Sequence, residues 1–423
     1  MKQKLLQIND RWGIGFIQAG MVLPVVCWFV FGGSVAAQDS HSERSFSSVP
    51  NEATVPDRWY YGAYFDLSYP LNLNFPENHL WRNRSTVPRT NELAPDMALA
   101  YVQKKITAPL NSTTSATDRS RWGAELAVQA GYDTKDFAFL PGEPKISGAD
   151  TLRHIGLANV SYLAPVGSGL ALQAGLFNSL LGYESLYAKD NINYTRAWQA
   201  DYSPYLMFGL NARYHLNERV EVAAYIINGY AHLARPNDAP SYGMQVVYKP
   251  GWGLNVAHTV YAGPDQSDTA LQFWRYYLNN IVTWERDDIL LALSYDAGTE
   301  NIAGRPGNPR AFVMAGNITA RWRFAPRWYV AVRPELYWDR NGRWTGSEQF
   351  VKAMTVTLDF APFVYDRQRL LRNWHARLEY RWDDSTGVDG GFYKGGDISP
   401  GVPQLAPSQQ LLILALLWTF DWP

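Results

Sequence analysis

From Trp59 onward the sequence alternates. Between Trp328 and Asp339 the residues Trp328, Val330, Val332, Pro334, Leu336 and Trp338 alternate with Tyr329, Ala331, Arg333, Glu335, Tyr337 and Asp339, so one face is apolar and the other carries charge. Between Trp374 and Asp383 the residues Trp374, Ala376, Leu378, Tyr380 and Trp382 alternate in the same way with His375, Arg377, Glu379, Arg381 and Asp383. Successive side chains of a strand point to opposite faces, and no helical period explains either segment.

Sixteen such segments can be traced, near 59–69, 96–107, 121–131, 154–163, 170–177, 204–216, 220–230, 241–249, 252–261, 271–285, 289–298, 311–324, 328–339, 352–363, 374–383 and 409–422. Their lengths cluster around the roughly 9–11 residues with which a tilted strand crosses a bilayer. The connections alternate too. Ala164 to Gly169, Asn217 to Arg219, Pro250-Gly251, Arg286 to Asp288 and Ala325 to Arg327 are short. Pro70 to Pro95, Tyr132 to Arg153, Asn178 to Ser203, Thr299 to Arg310 and Asp384 to Ser408 are long and rich in Gly, Pro, Asn or Asp. Short turns at one end and long loops at the other are the pattern of an outer-membrane barrel. A soluble propeller or tandem sandwich would explain the strands but not this alternation of connections. The expected fold is therefore all-β, a transmembrane antiparallel up-and-down barrel of about sixteen strands. Connections near 108–120 and 364–373 are longer than the pattern prefers.

Composition agrees. Hydrophobic residues make up 47% of the 423 residues and charged residues 18%. After residue 40 the longest apolar run is Leu411 to Trp418, far short of the roughly 18 residues of a membrane helix. Aromatic residues reach 14%, with 17 Trp and 26 Tyr, which a disordered chain does not have. Trp59, Trp122, Trp284, Trp322, Trp328, Trp338, Trp374, Trp382, Trp418 and Trp422 fall near predicted strand ends, as interfacial girdles require. The net charge of −1 gives no bulk field to attract nucleic acid.

Lys2, Lys4 and Arg11 precede the apolar stretch Gly13 to Phe31, and Ser34-Val35-Ala36-Ala37 follows it. This is the layout of a secretory signal peptide, residues 1–37, cleaved after Ala37. Cleavage would remove Cys27, the only cysteine, consistent with an exported product that does not rely on disulfides. Residues 38–58 are polar and predict a flexible linker, leaving 59–423 for the barrel.

Inward faces bear the chemistry. Arg213, Arg321, Arg323, Arg333, Glu335, Asp359, Arg377, Glu379 and Arg381 all fall on the polar face of a predicted strand and are the expected pore-lining residues. Unpaired ions in a dry interior cost several kcal/mol, which a water-filled lumen avoids. The pattern R-x-E-x-x-W-D occurs twice, at Arg333 to Asp339 and Arg377 to Asp383. These copies lie on strands separated by one other, and read either as a charged strip for solutes or as neutralising pairs within the wall. Asn178 to Ser203 is longer than joining neighbours requires and holds Tyr183, Tyr187, Tyr194 and Trp198. We expect it to fold into the lumen as a constriction, with Glu184, Asp190, Arg196 and Asp201 as its charged residues, the acidic ones facing the arginines of later strands.

Enzymatic signatures are weak. His41, His79, His154, His215, His232, His258 and His375 are scattered without an H-x-S-N run, and neither H-E-x-x-H nor a cysteine pair is present. The acidic clusters at Asp265 with Asp268 and at Asp383-Asp384 read as solvated loops rather than metal sites. Neither a cofactor nor a metal is expected, and no plug-sized domain precedes Trp59.

At Ala174-Gly175-Leu176-Phe177, Leu181-Gly182-Tyr183-Glu184, Tyr194-Thr195-Arg196, Pro204, Gly209 and Asn228-Gly229 the sequence resembles the β-barrel porin-2 family, the OmpL-like porins. The Arg333-Pro334-Glu335 and Arg377-Leu378-Glu379 strands resemble that family's later part. The resemblance covers Trp59 to Trp422, is densest over 170–230, and implies an outer-membrane porin without implying a substrate. The expectation is a channel in a Gram-negative outer membrane for passive diffusion of small hydrophilic solutes. Its expected partners are outer-membrane lipid, the secretion and barrel-assembly machinery and those solutes, with a homo-oligomer compatible. An outer-membrane hydrolase and a plugged barrel serving as adhesin or anchor are the alternatives.

Overall fold

The computed structural model describes residues 59–106, 120–134, 149–235, 237–366 and 373–422. The expected signal peptide and linker lie outside them, as do most of the connections near 108–120 and 364–373. The strands are β1 (Trp59–Asn72), β2 (Ala94–Lys104), β3 (Trp122–Ala130), β4 (Ile155–Ala164), β5 (Leu170–Asn178), β6 (Leu206–Asn217), β7 (Val220–Ile227), β8 (Ser241–Gly251) and β9 (Leu254–Pro264). They continue as β10 (Trp274–Arg286), β11 (Ile289–Asn301), β12 (Arg310–Ala325), β13 (Trp328–Asp339), β14 (Gln349–Phe360), β15 (Trp374–Thr386), β16 (Phe392–Ser399), β17 (Val402–Ala406) and β18 (Ser408–Trp422).

Strands β1 to β14 each pair antiparallel with the next, β15 pairs with β18, and β18 pairs with β1, closing a sixteen-strand barrel. All sixteen expected segments are present. Two departures stand out among the described residues: Leu271–Phe273, expected to begin a strand, forms a 3-10 turn before β10, and the β16–β17 hairpin stands apart from the barrel within the long connection read as a loop.

Closure follows from the alternation. Outward Leu210, Met244, Ile318, Leu336 and Leu414 are each more than half exposed. Such an apolar belt is anomalous in water and normal against lipid. Trp59, Trp122 and Trp322 are exposed near the short-turn end, and Trp328 stacks on Phe360 with ring centroids 4.2 Å apart. Inward positions are polar on most strands, but β18 is apolar on both faces, with Leu411, Ile413 and Leu417 buried inside.

Strands β5 and β6 flank the longest described connection, 179–205, and their backbone departs from regular pleating there. Gly175 has φ +120°, and a Cβ on it would sit 2.2 Å from the Ala158 carbonyl oxygen. Only glycine fits such a position. Beyond it Leu176 and Phe177 are both buried although they are consecutive.

Candidate functional site

Segment 179–205 lies inside the barrel. Its irregular backbone must find partners for every buried N–H and C=O, and the two R-x-E repeats supply them. Glu379 accepts hydrogen bonds from the backbone N–H of Tyr194 at 2.7 Å and of Thr195 at 3.0 Å, and from the Thr357 hydroxyl at 2.6 Å. Glu335 accepts from the backbone N–H of Trp198 at 2.6 Å, while the Trp198 indole donates to Asp383 at 2.9 Å. The arginines serve the carbonyls. Arg333 donates to Thr195 O at 2.7 Å and meets Glu184 at 2.5 Å. Arg377 donates to Ala188 O at 2.9 Å, and Arg381 to Arg196 O at 3.1 Å. Arg381 also pairs with Glu335 at 3.0 Å and Asp383 at 2.8 Å. Acceptors and donors alternate along each strand because the repeat places Glu two residues from Arg on one face.

Other walls hold the remainder. Leu180 O accepts from Gln245 at 2.8 Å and Thr259 at 2.9 Å, and Gly182 N–H donates to Asn279 at 3.2 Å. Asn193 donates to Thr357 at 2.7 Å, and Tyr329 donates to Ile192 O at 2.7 Å. The Tyr194 hydroxyl lies 2.7 Å from both Asp66 on β1 and Asp96 on β2. Leu186, Tyr187 and Ala188 belong to one apolar cluster with Tyr64, Met97, Leu411 and Ile413, which explains the inward apolar face of β18. From the outer side, Arg84 of connection 73–93 pairs with Asp201 at 2.8 Å and donates to Arg196 O at 2.6 Å. Phe392 of the β16–β17 hairpin packs against Trp198, centroids 6.2 Å apart.

The expected site residues thus separate into groups. Arg333, Glu335, Arg377, Glu379 and Arg381 grip the inner segment. Asp359 receives Arg377 Nε at 2.8 Å and lies 2.9 Å from His375. Arg321 pairs with Glu285 at 2.5 Å, Arg323 is half-buried near the short-turn end, and Arg213 faces a recess on the opposite wall. Of the loop charges only Glu184 meets a late-strand arginine. Arg196 pairs with Asp133 at 3.1 Å, Asp201 with Arg84, and Asp190 with its neighbour Lys189 at 3.0 Å. Asp66, Asp96, Asn279 and Gln245 were missed as loop contacts. Their inward phase was readable, but their height relative to a folded loop was not.

Toward the short turns the interior opens. The side chains of His375, Glu285 and His215 are each more than a third exposed, and Glu125 and Lys105 border the recess that Arg213 faces.

A family model described as "Putative beta-barrel porin-2, OmpL-like" matches residues 58–420. Among solved structures, Salmonella typhi OmpF in complex with daunomycin aligns with a TM-score of 0.50 and 11% identity, covering 86% of this chain and 97% of its own. The anion-selective porin from Comamonas acidovorans gives 0.49 at 8% identity, covering 86% and 99%. In-vitro folded OmpT of Vibrio cholerae gives 0.47 at 10% identity, covering 85% and 96%. The likeness to OmpF is one of fold. No curated protein sequence matches the chain.

Proposed function

The chain belongs to the OmpL-like beta-barrel porin-2 family, and from that premise we propose that this outer-membrane porin-like barrel passes small hydrophilic solutes by passive diffusion, through a lumen narrowed by segment 179–205. One observation supports this reading above the others: the side chains of Glu285, His375 and His215 near the short turns are partly open to solvent, while Arg333, Glu379 and Arg381 at the level of the inner segment are buried against it. A sixteen-strand barrel is wide enough to leave an aqueous channel, so the inner segment, rather than the wall, sets the bore. The long connections face the cell surface and the short turns the periplasm, after export by the cleaved signal peptide and insertion by the barrel-assembly machinery. The protein acts as a channel and catalyses nothing.

The test is single-channel recording of the refolded protein in a planar bilayer. Discrete conductance steps, smaller than an unobstructed barrel of sixteen strands would give, support the reading. Silence would favour a second one, a plugged barrel serving as adhesin or anchor, for which the ring of hydrogen bonds from β1 round to β15 speaks.

A further inference from the structure

On the wall of β2 to β6, away from the Arg333 and Arg377 repeats, a recess of about 70 Å³ opens between Arg213, Asn211, Gln173, Asn159, Glu125 and Lys105. Three amides form a directed ladder across it. Asn211 donates to Gln173 at 2.9 Å, Gln173 donates to Asn159 at 2.8 Å, and Asn159 donates to Glu125 at 3.1 Å. These bonds fix which end of each amide carries the oxygen. They also leave the Asn211 oxygen and a second N–H on Gln173 unused by the ladder.

Arg213 stands at the Asn211 end, one inward position nearer the short turns. It is only 7% exposed, and among the described residues its Nη1 has no hydrogen-bond partner. Glu221, whose charge it feels, lies instead 3.4 Å from His215. Every other inward arginine of β12, β13 and β15 discussed above that is this deeply buried has a carboxylate within ion-pair distance. A buried guanidinium without a partner is expensive, and a bound anion removes the expense.

We propose that this recess is a solute-binding subsite for a short polar carboxylate, with Arg213 taking the carboxylate and the amide ladder taking a hydroxyl substituent. The inference rests on the channel reading and names the class of solute. A planar guanidinium fork matches a carboxylate in two parallel bonds. Room for on the order of five waters, at roughly 10–15 Å³ each, fits a two- or three-carbon acid.

The experiment uses full-length protein refolded in detergent micelles, with folding checked by heat-modifiable mobility. Sodium lactate is titrated calorimetrically, and glycerol, similar in size but neutral, is titrated in parallel. Saturable lactate binding that glycerol does not show is expected, weakened on the order of ten-fold in Arg213→Gln, which loses one charge-assisted bond pair. Arg213→Lys keeps the charge but not the fork, and a several-fold loss is expected. Equal binding of lactate and glycerol, or undiminished lactate affinity in the variants, overturns the proposal. If Arg213→Gln does not fold, Arg213→Lys alone decides. Binding in micelles requires no conduction, so the two ideas fail separately. A protein that conducts but ignores lactate loses the subsite and keeps the channel, and Arg213-dependent binding by a silent barrel does the reverse.

Discussion

The interior of this barrel has two halves built from the same alternation and the same side chains. Toward the long connections, Arg333, Glu379, Arg381 and Asp383 are wholly buried, each bonded to the inner segment or to one another. Toward the short turns, Glu285 and His375 stay partly open to solvent although Glu285 pairs with Arg321 and His375 lies against Asp359. What differs is the occupant, since backbone fills one half and leaves the side chains of the other partly uncovered. An inward arginine is therefore a lumen lining or a loop clamp depending on what lies opposite, and the difference is set by a segment more than a hundred residues earlier in the chain.

The sharpest way to break the comparison is to remove the occupant. Deleting Leu186 to Asn193 takes away the apolar seat on β18 and the partners of Thr357, Tyr329 and Arg377. The half it occupied should then open, and single-channel conductance should rise several-fold. Unchanged conductance would mean that the constriction lies elsewhere.

A smaller change should loosen the occupant without removing it. Glu379→Ala leaves the N–H groups of Tyr194 and Thr195 without their acceptor, at about 1–3 kcal/mol for each unsatisfied buried group. Noisier, larger openings and a lower unfolding temperature are expected. Glu379→Gln keeps one acceptor oxygen and should lie between. The lower half should respond differently. Glu285→Gln removes the charge from the pair with buried Arg321 but leaves an amide oxygen to accept from its guanidinium, and the Glu285 side is half open to solvent, so the expected stability loss is small, about 0–1 kcal/mol. Reversal potential in a salt gradient should shift toward anions while the unfolding temperature stays put. A stability loss as large as that of Glu379→Ala would erase the distinction between the halves.

The same contrast explains how much could be read in advance. The barrel was legible because period-two patterning is local, and each of sixteen strands declares its lipid face by itself. The inner segment was legible as an insertion from its length and its aromatics. Its partners were only half so. Glu184 meets Arg333 as opposite charge suggests, but Asp201 turns to Arg84 and Arg196 to Asp133, both on long connections whose folding no periodicity encodes. Nor did the sequence reveal that Glu335 and Glu379 would receive backbone N–H groups, since a loop's main chain has no side-chain signature. The inward apolar face of β18 was a usable clue, because Leu411, Ile413 and Leu417 have no reason to line water.

The smallest expected effect lies at the outer rim of the occupied half. Asp133, on the turn after β3, accepts the Val87 N–H at 2.7 Å and pairs with Arg196 at 3.1 Å. Burial, aided by the charges of Asp66 and Asp201, outweighs that arginine and pushes its carboxyl up to about 7. A carboxyl whose folded value exceeds its unfolded one, near 4, takes up a proton on folding. Its contribution is complete below about pH 4 and is lost as pH rises through 7. Connection 73–93 and the inner segment, which meet at Arg84 and Asp201 beside this carboxyl, should therefore be better protected from hydrogen exchange at pH 5 than at pH 8. Asp133→Asn should flatten that dependence, because the amide stays neutral throughout. Equal protection at both values, or looser packing in acid, would show that the Arg196 pair governs Asp133 and that the occupied half holds its charges as firmly at its rim as at its centre.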